Sequence, residues 1–141
     1  MNQNELTELI KAKAIDIGFD LFGITQALAD ESGREALEEW LLEGNAADME
    51  WISRNAEKRS DPVAILPGAK SVICLAINYF QPRPPQEKGG KIATYAVGRD
   101  YHKVLKKMLK SLDQYMKILG PEAKNIYYSD TGPLLERRFA E

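Results

Sequence analysis

The chain has 141 residues, of which 44% are hydrophobic and 28% charged, and its formal net charge is −2. These values suit one ordinary globular domain, and the charge balance excludes a protein that binds nucleic acid by a large overall positive charge. The single cysteine, Cys74, excludes an internal disulfide and a zinc or iron–sulfur site built from several cysteines of this chain. The polar start predicts no signal peptide, and no apolar run reaches the ~18 residues of a membrane span, so we expect a cytoplasmic protein.

The spacing of apolar residues predicts helices that are separated by recognisable stop signals. In the first helix Leu6, Ile10, Ala14 and Ile17 recur at helical intervals, and Gly18 ends it. A second helix is predicted over Ser32–Glu43, with Gly44 as its stop, and a third after a cap at Asp48. A long helix is predicted over Tyr101–Leu119 after a cap at Asp100, and a last one from Pro133 onward. The last of these has no stop signal, from which we expect a fragment of a longer protein.

Strand-forming runs between turn signals predict four strands, at Phe19–Thr25, Ser71–Tyr79, Lys91–Val97 and Asn125–Ser129. The second run is apolar without alternation, which is typical of a strand buried on both faces. Gln81–Gly90 contains three prolines and is predicted to be a loop. Because helices and strands alternate, we expect an α/β fold, an α+β layered sheet with flanking helices.

The segment Asp130-Thr131-Gly132-Pro133 places an acid between a predicted strand and a predicted helix. Ligands of α/β sheets sit beyond the carboxyl ends of the strands, so Asp130 is placed to meet one. The same residue could simply cap the last helix, because aspartate accepts hydrogen bonds from the first free N–H groups. The residues alone favour the cap, and the two roles are compatible.

Two basic features and one histidine have both a functional and an ordinary explanation. Arg59 could hold a phosphate or an amide-bearing ligand, although a solvated helix end is the simpler interpretation. His102 is the only histidine, which excludes an internal site with several histidines, and we expect it to be structural. Five lysines share one face of the Tyr101–Leu119 helix and either meet an RNA backbone or form a solvated surface: Lys103, Lys106, Lys107, Lys110 and Lys117.

Four segments, taken in order, resemble one family: Glu57–Pro62, Leu66–Ile73, Tyr95–Leu105 and Asp130–Glu136. They resemble the N-terminal part of epoxyqueuosine reductase, a cobalamin-dependent enzyme of queuosine biosynthesis. The opening Lys13–Ile24 fits the same family, so the resemblance runs through essentially the whole chain.

The resemblance implies an oxidoreductase that reduces the epoxide of epoxyqueuosine in the anticodon wobble position of tRNA, using cobalamin and two iron–sulfur clusters. It implies that residues 1–141 are the N-terminal cobalamin-binding domain, with a fold similar to nitroreductase-like and cobalamin-processing domains. The cluster ligands and a helical-repeat part that holds tRNA would lie outside this chain. We therefore expect the chain alone to bind corrin without turnover, as a monomer with tRNA as the partner of the full-length protein and no membrane partner.

The resemblance also implies roles for individual residues. Asp130 takes the place of the family's proton donor, Arg59 that of a cobalamin contact, and Ala93 that of a backbone contact along the cofactor; no metal ligand is implied. Three alternatives stay open at this point. They are a non-catalytic corrin-binding module, a flavin-binding nitroreductase-like domain, and a plain structural domain whose acid and arginine are a cap and a surface charge.

Overall fold

The computed structural model describes residues 2–80, 82, 92–93, 96 and 98–141. These residues form two compact units, the first comprising Met1–Phe22 and Ala76–Ser129 and the second Gly23–Leu75 and Asp130–Glu141. The elements of the described residues are α1 (Gln3–Ile17), β1 (Leu21–Gln26), α2 (Glu31–Leu42), α3 (Glu50–Ser53), α4 (Ala56–Arg59), α5 (Pro62–Ile65), β2 (Ser71–Ala76), α6 (Tyr101–Leu119) and α7 (Glu136–Ala140). None of the helices described is long and apolar enough to cross a membrane.

The strands β1 and β2 pair as a two-stranded antiparallel sheet in the described part of the chain. The Asp20 N–H donates to the Ala76 carbonyl at 2.9 Å, and the Ala27 N–H donates to the Lys70 carbonyl at 3.0 Å. Because the partner's number falls as the donor's number rises, the strands run in opposite directions. Helices together with a small sheet confirm the expected mixed fold class.

The first unit is built on the pairing of α1 with α6. The helix α1 begins with a capping box, in which the Asn2 side chain accepts from the Glu5 N–H at 2.8 Å, and it ends at Gly18, whose φ of 111° suits glycine. Apolar residues at helical spacing face inward, with Ala14 fully buried and Leu112 nearly so. Local capping and one apolar stripe per helix therefore account for both elements.

The second unit contains α2, the short helices α3, α4 and α5, and α7. The side chain of Asp30 caps α2 by accepting from the Gly33 N–H at 3.0 Å. The side chain of Asp61 caps α5 by accepting from the Val63 N–H at 2.9 Å, and Pro62 occupies the first turn, where a missing N–H costs nothing. Three of these helices are single turns, so tertiary contacts rather than helix propensity hold them in place.

Several predicted elements are corrected by the structure. The predicted strand Asn125–Ser129 is wrong, because this segment is neither helix nor strand and has no strand partner in the described residues. The β2 strand is half-buried in the middle and exposed at both ends, so it is not buried on both faces. The predicted cap at Asp48 is also wrong, since α3 begins after Met49 with no side-chain capping bond.

The predicted strand Lys91–Val97 and the predicted loop Gln81–Gly90 lie largely outside the described residues. Of the strand, Ile92, Ala93 and Ala96 are described, and none of them is in a strand. The Ala96 N–H instead donates to the Ala93 carbonyl at 3.0 Å, a turn-like contact between residues three apart.

Candidate functional site

Arg59, the last residue of α4, is buried with 8% of its surface exposed. Its Nε donates to the Ile52 carbonyl at 3.3 Å and its Nη2 to the Trp51 carbonyl at 3.4 Å. The guanidinium also lies over the Trp51 ring, 5.0 Å from its centroid, a cation–π distance. The interpretation of Arg59 as a solvated helix end is therefore wrong, because the side chain turns inward onto the carbonyl end of α3.

The backbone of Arg59 connects this buried cation to the segment that carries Asp130. The Arg59 carbonyl accepts from the Leu135 N–H at 2.8 Å. Leu135 also packs near Gly33, where an added Cβ would stand 3.3 Å from the Leu135 Cδ1. The structure thus brings the α4 segment and the start of α7 together within the second unit, so two of the predicted site segments are neighbours.

Asp130 is exposed, and its φ of 57° lies in the left-handed region. This conformation is uncommon for residues with a Cβ, although aspartate tolerates it better than most. The residue before α7 is Leu135, and no side chain caps that helix. The interpretation of Asp130 as the cap of the last helix is therefore wrong, because the helix begins six residues beyond it.

Glu136, the first residue of α7, is an electrostatic neighbour of Asp130. Partial burial raises the pKa of Glu136, the backbone N–H of Asp130 opposes that rise, and the negative charge of Asp130 adds to it. The carboxyl groups of Asp130 and Glu136 therefore influence each other.

The helix α7 is docked by Arg138. Its Nε donates to one carboxylate oxygen of Asp30 at 2.8 Å and its Nη2 to the other at 3.2 Å, while Nη2 also donates to the Ser32 Oγ at 2.6 Å. The hydrogen bonds from Arg138, Gly33 and Ser32, in that order, hold the pKa of Asp30 well below its usual range. This forked ion pair joins α7 to the cap of α2.

An open groove of about 620 Å³ lies beside this ion pair in the second unit. Its lining includes Ile24 and Leu28 beside β1, Cys74 of β2, and Asp30 and Arg138. Burial raises the pKa of the Cys74 thiol, the charge of Glu136 adds to the rise, and the Cys74 Sγ donates to the Phe139 carbonyl at 3.0 Å. Neither Arg59 nor Asp130 lines this groove, so it is separate from the predicted site residues.

The other predicted residues lie in the first unit. Ala93 is exposed, and its carbonyl accepts from Ala96. The Nδ1 of His102 is 3.2 Å from Asp100 and its ring stacks on Tyr101 at 4.0 Å, so its contacts are local to the start of α6. Among the residues the structure describes, no group of three or more histidine, cysteine or acidic side chains is arranged to hold a metal ion.

The comparison with protein families decides what kind of chain this is. The family described as epoxyqueuosine reductase QueG, DUF1730, matches residues 59–131, just over half of the chain. The chain belongs to this family. The matched segment begins at Arg59 and ends one residue beyond Asp130. It therefore contains the three residues predicted for the site, Arg59, Ala93 and Asp130. The resemblance that the sequence predicted is confirmed.

Curated relatives agree with the family match. The chain is 41% identical over 137 residues to an epoxyqueuosine reductase of Gloeobacter violaceus, covering 94% of this chain and 41% of that protein. It is 40% identical over 114 residues to the one of Synechocystis, covering 79% of this chain and 39% of that protein. The chain therefore spans about two-fifths of the length of these curated relatives.

Solved structures of epoxyqueuosine reductases share the fold. One from Streptococcus thermophilus superposes with a TM-score of 0.81 at 28% identity, over 95% of this chain and 37% of that one. Another, solved with an epoxyqueuosine-modified stem loop of tyrosine tRNA, gives 0.80 at 27% identity, over 99% and 38%. A third structure, from Bacillus subtilis, has its catalytic loop, which is named after an aspartate, swung out of the active site. It superposes with a TM-score of 0.79 at 28% identity, over 99% of this chain and 38% of that one.

Proposed function

We propose that this chain forms the N-terminal, cofactor-binding part of an enzyme that reduces epoxyqueuosine to queuosine in tRNA. Membership of the family supports the reaction class. The observation that carries the proposal is the Asp130 loop, because it presents an exposed carboxyl group from a left-handed turn inside the matched segment. Strained turns of this kind are concentrated at functional sites.

The chemistry gives Asp130 a defined task. Reducing an epoxide to an alkene consumes two electrons and two protons, breaks both C–O bonds and releases water. The departing oxygen must be protonated, and a carboxyl group at the site can donate that proton as a general acid. The Bacillus subtilis relative, whose catalytic loop is designated by an aspartate, supports the same role for Asp130.

Cobalamin is the cofactor that we propose, and when bound it would supply the electrons to the substrate. The donor set fits a corrin, whose peripheral amides accept hydrogen bonds. Two of the five guanidinium N–H groups of Arg59 make the bonds to α3, which leaves donors for a ligand. Ala93 would add a backbone contact. The iron–sulfur clusters are proposed for sequence beyond this chain, since Cys74 alone cannot hold one, so turnover would need that further sequence.

The tRNA partner is proposed to contact the lysine face of α6. Lys103, Lys106, Lys107 and Lys110 are exposed. The acidic residue of this helix, Asp113, is nearly buried and is already paired with Lys117 at 2.8 Å. The exposed face therefore presents positive charge along α6 without a neighbouring acid on the same helix, as a phosphate backbone requires.

The first experiment tests the pocket. The chain is titrated with cob(II)alamin, and the visible spectrum and the fraction retained after desalting are followed. We expect saturable binding that weakens in Arg59→Lys, which keeps the cation but loses the planar fork. A folded chain that leaves the cobalamin spectrum unchanged at every concentration would contradict the cofactor assignment, and flavin retained in its place would indicate the nitroreductase-like alternative.

The second experiment tests the reaction. This chain replaces the matching N-terminal region of the Gloeobacter violaceus relative, and queuosine is measured in tRNA from cells that lack their own reductase. We expect the chimera to restore queuosine, Asp130→Asn to abolish it, and the exposed Asp48→Asn to leave it unchanged. Queuosine restored equally by Asp130→Asn would remove the proton-donor role.

The third experiment tests the RNA surface through salt dependence. Affinity of the same chimera for a tRNA anticodon stem loop is measured between low and moderate salt. Each lost phosphate contact should lower the slope of log K against log salt by roughly 0.9 or less. Lys106→Glu should lower both affinity and slope, whereas Lys11→Glu on α1 makes the same change of charge elsewhere. Equal effects of the two variants would contradict the α6 assignment.

A further inference from the structure

Asp30, the N-cap of α2, makes one long-range contact with its backbone and another with its side chain. Its N–H donates to the Ser60 carbonyl at 2.8 Å. Its carboxylate accepts from Arg138 of α7, at 2.8 Å from Nε and at 3.2 Å from Nη2. Because Ser60 directly follows α4, Asp30 connects the end of α4 to α7.

A second contact between the same two segments closes a ring. The Arg59 carbonyl accepts from the Leu135 N–H at 2.8 Å, and Leu135 directly precedes α7. Within α7 the Arg138 N–H donates to the Leu135 carbonyl at 3.0 Å. The contacts therefore run from Asp30 to Ser60 and Arg59, across to Leu135, along the chain to Arg138 and back to Asp30. We call these five residues the Asp30 ring.

The ionic link of the ring is well prepared for its task. One carboxylate oxygen of Asp30 also accepts from the Gly33 N–H at 3.0 Å and from the Ser32 Oγ at 2.8 Å, so the cap of α2 fixes the orientation of the acceptor. The Asp30 side chain is only 20% exposed, which limits screening by salt. A forked bond between a guanidinium and a carboxylate also fixes direction, which a single bond does not.

The ring matters because α7 cannot hold itself in place. This helix has five residues, too few to be stable alone in water, so its position depends on tertiary contacts. Asp130 lies five residues before Leu135, and Pro133 restricts the backbone between them. The Asp30 ring therefore fixes the downstream end of the loop that carries Asp130, and Arg59 belongs to the same ring.

We propose that Asp30 is a positioning residue: by holding Ser60 through its N–H and Arg138 through its carboxylate, it keeps Arg59 and the downstream end of the Asp130 loop in a fixed position relative to each other. This inference rests on the proposed roles of Arg59 as a corrin contact and of Asp130 as proton donor. Asp30 acts through its partners and is not itself a catalytic residue.

The variant that isolates the ionic link is Asp30→Asn. Its side-chain oxygen can still cap α2, and its backbone N–H can still donate to Ser60. Its NH2 group replaces the oxygen that accepts from the Arg138 Nε, so two donors face each other and the fork is lost. Arg138→Ala breaks the same link from the other side, so the test does not depend on the folding of one variant.

Hydrogen exchange of the backbone amides in the full chain measures the ring without turnover. The Leu135 amide is the reporter, because it donates to the Arg59 carbonyl. We expect it to exchange roughly tenfold faster in Asp30→Asn and in Arg138→Ala, with the amides of α6 unchanged, since the opening is local. The control is Glu31→Gln, which neutralises the next residue, a side chain that is 65% exposed, and should exchange like the parent.

The same variants in the chimeric reductase separate positioning from general stability. At a temperature where every variant is folded, Asp30→Asn and Arg138→Ala should lower kcat roughly tenfold with KM for tRNA unchanged. Arg138→Lys keeps the charge and one bond, so it should restore part of kcat. The double variant should be no slower than the slower single variant, because both changes remove one link.

Two results would overturn the positioning role. One is a Leu135 amide that exchanges at the parent rate in both Asp30→Asn and Arg138→Ala. The other is a faster Leu135 amide in these variants with kcat unchanged, which would leave the Asp30 ring as a purely structural feature.

The proposed function can fail separately from this inference. If Asp130→Asn blocks queuosine formation while Asp30→Asn leaves kcat unchanged, the donor role stands and the positioning role is refuted. If Asp130→Asn forms queuosine normally, the donor role is lost, and Asp30 can act only through Arg59. Weaker cob(II)alamin binding by Asp30→Asn would then support the positioning role, and unchanged binding would refute it.

Discussion

Replacing Arg59 by alanine should destabilise the second unit whether or not a ligand is present. The two bonds from the guanidinium to the carbonyls of Ile52 and Trp51 are 3.3 and 3.4 Å long. These are longer than the usual ~2.9–3.0 Å, so each should contribute about 0.5–1 kcal/mol, below the range for charged donors. The cation–π contact with Trp51 should add about 0.5–1 kcal/mol. We therefore expect Arg59→Ala to lower the free energy of unfolding by about 2 kcal/mol, allowing for overlap between these contacts.

The assay uses the ring on which Arg59 stacks. The chain has two tryptophans, so a Trp40→Phe background leaves Trp51 as the fluorescent probe in urea unfolding. A loss of about 2 kcal/mol should lower the urea midpoint by on the order of 1 M with little change in the slope m. The control is Arg54→Ala, because Arg54 makes a 3.1 Å ion pair with Glu50 whose side chains are 71% and 78% exposed. Exposed pairs contribute little, so the control should stay within about 0.5 kcal/mol of the parent.

The result that would refute this reasoning is Arg59→Ala with the same midpoint as Arg54→Ala. If that stable variant also lost cob(II)alamin binding, Arg59 would be a ligand contact whose bonds to α3 carry no stability. The expected result has a practical consequence for binding studies. Loss of corrin binding in Arg59→Ala would mix unfolding with a lost contact, which is why Arg59→Lys is the variant to use in the titration.

Three further outcomes follow from the second unit. Arg138→Ala should lower the urea midpoint more at pH 7 than at pH 3, because the lowered pKa of Asp30 stabilises the folded chain above pH 3.8, its ordinary pKa, and this stability is lost as pH falls toward the pKa of the folded state. The control is the same change at Arg137, whose side chain is 93% exposed. An equal loss at both pH values would contradict this linkage. Gly33→Ala should cost roughly 1–3 kcal/mol in the same assay, since its Cβ would press on the Asp30 carboxylate, and a neutral effect would mean that the cap moves freely. Cys74 should be alkylated more slowly at pH 8 in the native chain than in urea, because burial raises its pKa, and equal rates would show an accessible thiol.

The elements that sequence predicted well are those set by local chemistry. The helix α1 combines a capping box at Asn2, an apolar stripe, and a glycine whose left-handed φ ends it, and all three signals lie within the helix or next to it. The helix α6 likewise follows an N-cap at Asp100, whose side chain accepts from the His102 N–H at 3.0 Å. Such signals depend on residues two to four positions apart, so a single sequence contains them in full.

The strand at Asn125–Ser129 shows why other predictions were wrong. A short apolar run becomes a strand only when another strand supplies its hydrogen bonds, and sequence does not say whether one is available. Here the Asn125 side chain donates to Asp113 on α6 at 3.0 Å. The segment is tied to a helix through a side chain and has no strand partner in the described residues.

The candidate site was predicted only in part, again because its contacts depend on partners that the sequence does not identify. The acid at position 130 and the arginine at position 59 were identified, but their simpler interpretations depended on where short helices begin and end. Pro133 suggested an early helix start, whereas α7 begins at Glu136, too far along the chain for Asp130 to cap it. The charge of Arg59 suggested solvent, and the inward turn toward the α3 carbonyls is a tertiary contact that composition does not encode. Asp30, Glu136 and Arg138 were missed because each matters through a partner that only the fold supplies.

The ties on the Asp130 loop also bear on how such a loop can move. The catalytic loop of the Bacillus subtilis relative is swung out of the active site, so movement is a property of that protein. In this chain, moving α7 would require breaking the forked bonds between Arg138 and Asp30 as well as the bond from Leu135 to Arg59. Both of these contacts are made by residues that follow the exposed Asp130 in sequence, at positions 135 and 138. A movement confined to the loop between Asp130 and Leu135 therefore need not break the contacts that dock α7.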